Sequence, residues 1–274
     1  MHNISKVWAV YFTGTGNTKT VVHRIADAAA RVLNCPRADY DFSLPAARGQ
    51  ALIFSPTDLV VIGTPVYAGR VPNKLLPFLT EHITGNGALC VPAVTFGNRN
   101  FDDGLMDLVK LMQANGLSPV AAGAFVGEHS FSTTLGAGRP NTDDLALADE
   151  LGSRAAQQVL AGRTALSAPV DGNDPVGPYY TPRDRAGNPI NILKVKPKTD
   201  PDKCLKCGLC ASVCTMGSID PTDFGNITGV CIKCCACVKG CPAGAKYYDD
   251  EGYLYHQHEL EEMYARPAES KLFF

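Results

Sequence analysis

Nine cysteines crowded between Cys204 and Cys241 constrain this chain more than any other feature. Eight of them form two copies of C-x2-C-x2-C-x3-C set 27 residues apart: Cys204, Cys207, Cys210 and Cys214, then Cys231, Cys234, Cys237 and Cys241. Disulfides explain the set poorly. The total of 11 cysteines is odd, and the first residues show no basic stretch followed by an apolar one. Three thiolates with two residues between them wrap one face of a cubane, and the next turn carries the fourth to a pseudo-symmetric partner. This is the spacing of two-cluster sequences in which the fourth Cys ligates the other cluster. It predicts two [4Fe–4S] clusters, one on Cys204, Cys207, Cys210 and Cys241 and the other on Cys231, Cys234, Cys237 and Cys214. Zinc is the competing reading and fits less well, since structural zinc sites use Cys pairs with longer spacers. Thr215 follows the first quartet where Pro242 follows the second. The ninth member, Cys235, is expected to pack as a small apolar residue. So short a segment buries little apolar surface, so metal bonds must supply much of its folding free energy.

The rest of the chain has a different grain. Across residues 1–165, β-rich runs alternate with helical periodicity. Lys6–Phe12, Asp39–Ser43, Asp58–Gly63, Leu89–Phe96 and Pro119–Val126 read as strands, and the continuous apolar runs suit strands buried on both faces. Helices are expected at 18–33, around Leu105–Met112, and from Asn141 or Thr142 to about Gly162. Five strands alternating with helices predict an α/β fold, a doubly wound parallel sheet of order 2-1-3-4-5 that binds its ligand at the carboxyl edge. Residues 166–200 carry six prolines and read as an extended connector. Residues 201–250 form a small α+β unit around the cysteines. Residues 251–274 form an acidic tail with a short solvated helix around 259–264.

Between the first strand and first helix stands Thr13-Gly14-Thr15-Gly16-Asn17-Thr18. Backbone N–H groups and a helix N-terminus there favour an anion, and hydroxyls add hydrogen bonds without a cation. Neither a Gly-Lys-Ser/Thr sequence nor a third glycine follows, so this is neither a nucleotide-triphosphate loop nor a dinucleotide fingerprint. It suits a phosphate monoester. Two more loops fall at the same edge: Thr64-Pro65-Val66-Tyr67-Ala68-Gly69-Arg70 and Gly97-Asn98-Arg99-Asn100-Phe101-Asp102-Asp103. Tyr67 offers a ring to stack on a flat ligand. The net charge of −2 gives no electrostatic case for nucleic acid, and no apolar run approaches the ~20 residues of a membrane span. A cytoplasmic location is expected.

The three loops together resemble those of flavodoxin, and the whole chain resembles flavodoxin–ferredoxin fusion proteins, in which a flavodoxin-like domain precedes a two-[4Fe–4S] bacterial-type ferredoxin. Gly63–Pro72, Phe96–Arg99, Glu128–Ser132 and Gly138–Pro140 are similar to that family's segments. The resemblance implies FMN, with Thr13, Thr15, Gly16, Asn17 and Thr18 at its phosphate and Tyr67 and residues 97–102 at its ring. Gly14 takes a place often held by a hydroxyl residue. FMN holds one or two electrons and a cluster passes one, so the expected activity is a relay among FMN, two clusters and an external redox partner. A flavin reductase of a small-molecule acceptor is the alternative, with His129 as proton donor and Arg139 holding an anionic substrate or facing the ferredoxin domain. A redox sensor is a third reading, without a DNA-binding motif or basic stripe to support it.

Overall fold

The computed structural model describes residues 3–274. Five parallel strands form the centre of the main sheet: β1 (Lys6–Tyr11), β2 (Arg37–Asp41), β3 (Asp58–Pro65), β4 (Leu89–Phe96) and β5 (Ala122–Val126). A sixth, β6 (Lys271–Phe273), lies antiparallel to β5, so the order is 2-1-3-4-5-6. The fold is therefore flavodoxin-like α/β, with the expected 2-1-3-4-5 core. Residues 118–126 are not one strand. Ser118–Pro119 pairs with the start of β4, and Ala122–Val126 pairs with its end.

Alternation along each strand builds two cores. Leu59 and Val61 point to one face, where α1 (Asn17–Leu33) supplies Val21, Val22, Ile25 and Ala29 and α4 (Thr142–Leu160) supplies Ala148, Leu151, Ala155 and Val159. Val60 and Ile62 point to the other, against Phe78 and Leu79 of α2 (Leu76–Glu81) and Leu105, Leu108 and Met112 of α3 (Gly104–Ala114). All eight residues of β4 are buried, as a central parallel strand requires. Helix α4 begins where its cap is written. The Asn141 side chain accepts from the backbone N–H groups of Asp143 and Asp144, and the Asp144 carboxylate accepts from Asn141 N.

The proline-rich stretch has no helix, and it is strapped to the sheet domain. The buried Asp103 carboxylate accepts from Asn173 N, Asn173 Nδ2 and Gly177 N at 2.7–3.2 Å. Arg70, paired with Asp107, donates to Gly177 O, and Tyr180 N donates to Ala68 O at 2.8 Å. The cysteine segment holds two four-residue helices, α5 (Leu209–Ser212) and α6 (Ala236–Lys239), beside an antiparallel pair, Lys198–Thr199 with Lys246–Tyr247.

The C-terminal segment corrects the expectation of a solvated helix. Helix α7 (Glu251–Met263) buries Tyr253, His256 and Leu260 along one stripe. The chain then crosses the third loop, where the Asn98 amide donates to the carbonyls of Tyr264 and Arg266 and accepts from Ala268 N, and it ends as β6. Among the described residues no helix is long and apolar enough to cross a membrane.

Candidate functional site

At the carboxyl edge of the sheet the loops after β1, β3, β4 and β5 surround a cavity of about 240 Å³. Thr13, Gly14, Thr15, Asn17 and Thr18 line one end. Gly16 caps α1 in the left-handed region (φ 97°), and its N–H donates to Thr13 Oγ1 at 2.9 Å, which sets the turn. The buried hydroxyls of Thr18 and Thr95 pair at 2.6 Å. Asn17, in the same lining, donates from Nδ2 to Glu128 O at 3.1 Å. In the second loop Pro65, Val66, Tyr67, Ala68 and Gly69 all line the cavity. Ala68 and Gly69 both take positive φ, and Tyr67 and Arg70 exchange backbone hydrogen bonds across the turn. Burial pushes the Tyr67 phenol well above its ordinary value, and nearby Cys234, Cys235 and Cys231 push it the same way.

Several expected ring contacts are absent from this cavity. Gly97, Arg99 and Asn100 line it, but Asn98 is spent on the C-terminal segment. Phe101 and Asp102 face a neighbouring groove, with the Asp102 carboxylate paired to Arg99. Thr64 is buried inside β3 and does not line the cavity. Arg139 is also elsewhere. Its guanidinium grips the Asp144 carboxylate and reaches Ala268 O at 3.3 Å, so it fastens α4 to the C-terminal segment and is not free to bind a substrate.

His129 does line the cavity, packed against Gly97, with Nδ1 accepting from Phe131 N at 3.1 Å. Burial holds its pKa down to about 3, with His256, Lys239 and Arg99 adding to the depression. A neutral imidazole of that kind does not serve as the expected proton donor near pH 7. His256 is buried on α7. It too lines the cavity, and burial lowers its pKa to about 4.

Residues far along the chain complete the enclosure. Tyr180, Pro182, Ile192 and Leu193 come from the proline-rich stretch, and His256 and Leu260 from α7. The Arg99 guanidinium lies 4.7 Å from the Tyr180 ring centre. The buried 253/256/260 stripe carried a helical signal in the sequence. The Tyr180 and Leu193 contacts are tertiary and carried none.

The cysteines fall into two groups. Cys204, Cys207, Cys210 and Cys241 line one small cavity, and Cys214, Cys231, Cys234 and Cys237 line another. None is in a disulfide. Among the described residues no three Cys, His, Asp or Glu side chains converge as ligands of one ion do. A cubane, which presents one iron to each ligand, needs its four thiolates spread around it, so the donor sets fit that group. Cys235 lies in the wall of the second cavity in the left-handed region (φ 58°), the conformation that Gly208 adopts 27 residues earlier (φ 77°). Burial pushes its thiol up to about 12, so it stays protonated, and it shares a 3.6 Å contact with the Tyr253 hydroxyl.

The two sites touch. A Cβ placed on Gly14 would lie 2.9 Å from Cys234 Cβ, 3.0 Å from Cys234 O and 3.1 Å from the Tyr67 hydroxyl. The hydroxyl residue common at this place has no room here. Polar clamps hold the junction. Lys239 of α6 pairs with Glu128 and donates to the carbonyls of His129 and Ser132 at 2.8 and 2.7 Å. Arg48 donates to the carbonyls of Phe42, Ser43 and Thr215.

Comparison with known proteins agrees with this division. Residues 9–128 match the flavodoxin domain and residues 197–220 the 4Fe-4S binding domain. Fold and matches together define an electron-transfer protein of the flavin and iron–sulfur class. The chain joins an N-terminal flavodoxin domain to a C-terminal 4Fe–4S domain, the arrangement of a flavodoxin–ferredoxin fusion. Among solved structures it is similar to a flavodoxin from the domain Archaea, at 15% identity over 57% of this chain and 99% of that one, with a TM-score of 0.43. Flavodoxin 2 from Bacillus cereus gives 11% identity, 56% and 99% coverage, and a TM-score of 0.42. The Streptococcus pneumonia flavodoxin gives 17%, 58%, 99% and 0.40. No curated protein matches the chain.

Proposed function

We propose that this protein relays electrons between FMN, two [4Fe–4S] clusters and an external redox partner. The packing of Cys234 against Gly14 and Tyr67 carries the reading, because it sets one thiolate quartet against the wall of the flavin cavity. The Thr13–Thr18 turn would hold the phosphate on backbone N–H groups and Thr hydroxyls, and Tyr67, Gly97, Arg99 and Asn100 would border the ring. Cys214, Cys231, Cys234 and Cys237 would hold the proximal cluster. Cys204, Cys207, Cys210 and Cys241 would hold the distal one. When bound, FMN exchanges one or two electrons and each cluster one, so the chain couples two-electron to one-electron chemistry.

What the chain's own residues contribute is position and insulation. Lys239 and Arg48 fix the cluster unit to the flavin domain. The buried His256 and Leu260 close one wall of the cavity, and Tyr180 and Leu193 border it. The outlet is on the distal side, where Cys207 is exposed beside Leu205 and Leu209. A redox protein or a small-molecule acceptor would exchange electrons there.

The reductase alternative loses support, because neither His129 nor Arg139 is available for its assigned role. The test is anaerobic. Material purified under argon is expected to contain one flavin and about eight irons per chain. Stepwise reduction should bleach flavin and cluster bands together, and a redox carrier should restore both. Flavin turnover of a small molecule with the clusters left reduced would refute the relay.

A further inference from the structure

The two cysteine quartets come from an internal repeat, so each half is a control for the other. One sulfur contact is shared. Ser218 N donates to Cys214 Sγ at 3.3 Å, and 27 residues on Ala245 N donates to Cys241 Sγ at the same distance. Two contacts are not shared. The Thr215 hydroxyl meets Cys234 Sγ at 3.3 Å, and Thr215 is buried. The Tyr248 hydroxyl meets Cys231 Sγ at 3.7 Å and its ring stacks on Tyr253 at 4.0 Å. The residues at the matching offsets are Pro242 and Pro221, which carry no hydroxyl. Both contacts therefore fall on the proximal quartet alone.

Burial differs in the opposite sense. Cys237 is buried, as are Cys235 and Ala236 beside it, whereas Cys207 of the distal quartet is exposed. Reduction adds a negative charge, which a buried site accepts less readily. A hydroxyl donating to a thiolate sulfur stabilises that added charge, one of the levers that set cluster potentials.

We propose that Thr215 and Tyr248 are tuning residues that raise the reduction potential of the proximal cluster and offset its burial, so that it accepts electrons from the flavin side and passes them outward. This rests on the relay reading. The departure of Thr215 from the Pro found in the other half then has a function, since a proline there has no hydroxyl to offer Cys234.

The experiment is an anaerobic redox titration of the full-length holoprotein, read by cluster spectroscopy, with flavin and iron content measured on every sample. Thr215→Val keeps the shape and removes the hydroxyl. It is expected to shift the proximal reduction equilibrium about fivefold toward the oxidised form, the equivalent of one hydrogen bond near 1 kcal/mol. The distal equilibrium should stay in place. Tyr248→Phe should act in the same direction, and Thr215→Ser should restore wild-type behaviour. Full iron content with an unmoved proximal equilibrium in Thr215→Val, or an equal shift in both clusters, would overturn this proposal and leave the relay standing. Iron corresponding to one cluster only would overturn both.

Discussion

Replacing Gly14 by alanine is expected to push the flavin loop and the proximal quartet apart. The added carbon would sit 2.9 Å from Cys234 Cβ and 3.0 Å from Cys234 O, closer than van der Waals contact allows. Neither neighbour is the end of a flexible side chain, so relief requires backbone movement. Overpacking of this kind costs about 1–3 kcal/mol, or roughly 2–5 °C in melting temperature for a chain of this size. Melting should be followed under argon at the flavin and cluster absorbances, with the rate of flavin–cluster equilibration measured by rapid mixing. Gly16→Ala supplies the control. Its φ of 97° makes alanine costly by about 1 kcal/mol, but its Cβ would meet nothing within 4 Å. Both variants should weaken the phosphate loop, and only Gly14→Ala should slow electron exchange. Wild-type melting and wild-type equilibration in Gly14→Ala would refute the contact as the route between the two sites.

Cys235→Gly should fold with wild-type iron content, because Gly208 already occupies the matching left-handed position in the other half; loss of iron would show that Cys235 is a ligand. His129 and His256 are held neutral by burial, at about 3 and about 4, while an unfolded histidine titrates near 6.5. Below pH 6.5 the unfolded chain therefore binds protons that the folded chain refuses, so stability should fall by up to about 1.4 kcal/mol per pH unit per histidine down to about pH 4 and should not respond to these groups above 6.5. Urea midpoints across that range should fall less steeply in His256→Phe, and an unchanged slope would contradict the assignment. Asp103→Ala removes the acceptor of four hydrogen bonds from three donor groups and should expose residues 166–182 to limited proteolysis while flavin content holds; resistance equal to wild type would show that the strap is fastened elsewhere.

The features most legible in the sequence were those whose physics is local. The cysteine spacing divides the segment into two quartets, and the fold gathers each around its own small cavity. The five strands announced themselves because apolar runs such as Leu59–Ile62 suit a sheet covered on both faces, and Asn141 carries its cap in its own side chain. The errors arose where a polar side chain finds its partner far along the chain. The sequence places Asn98 in a loop expected at the ring, yet its side chain is bound to residues 264–268. In the sequence Arg139 stands as a free cation suited to an anion, yet the Asp144 carboxylate five residues on and the Ala268 carbonyl occupy it. Prolines made 166–200 look loose. They fix φ and remove donors, but Asn173, Gly177 and Tyr180 retain their N–H groups, and those N–H groups fasten the strap.

The strap and the C-terminal segment give physical sense to joining these two domains in one chain. A separate ferredoxin meets its flavin partner by diffusion and loses orientational freedom at each encounter. Here the ordering is done once, during folding. The proline-rich stretch leaves the flavin domain beside Leu166, crosses the cavity mouth at Tyr180 and Leu193, and delivers Cys204. After Cys241, helix α7 returns over the same cavity and the chain closes as β6 on the outer edge of the sheet. The flavin domain thus grips the cluster unit from both ends, and Lys239 and Arg48 pin it between. Removing either end should therefore loosen the Gly14–Cys234 contact without touching a cofactor ligand, and that contact, rather than the affinity of two separate proteins, is what the folded chain maintains.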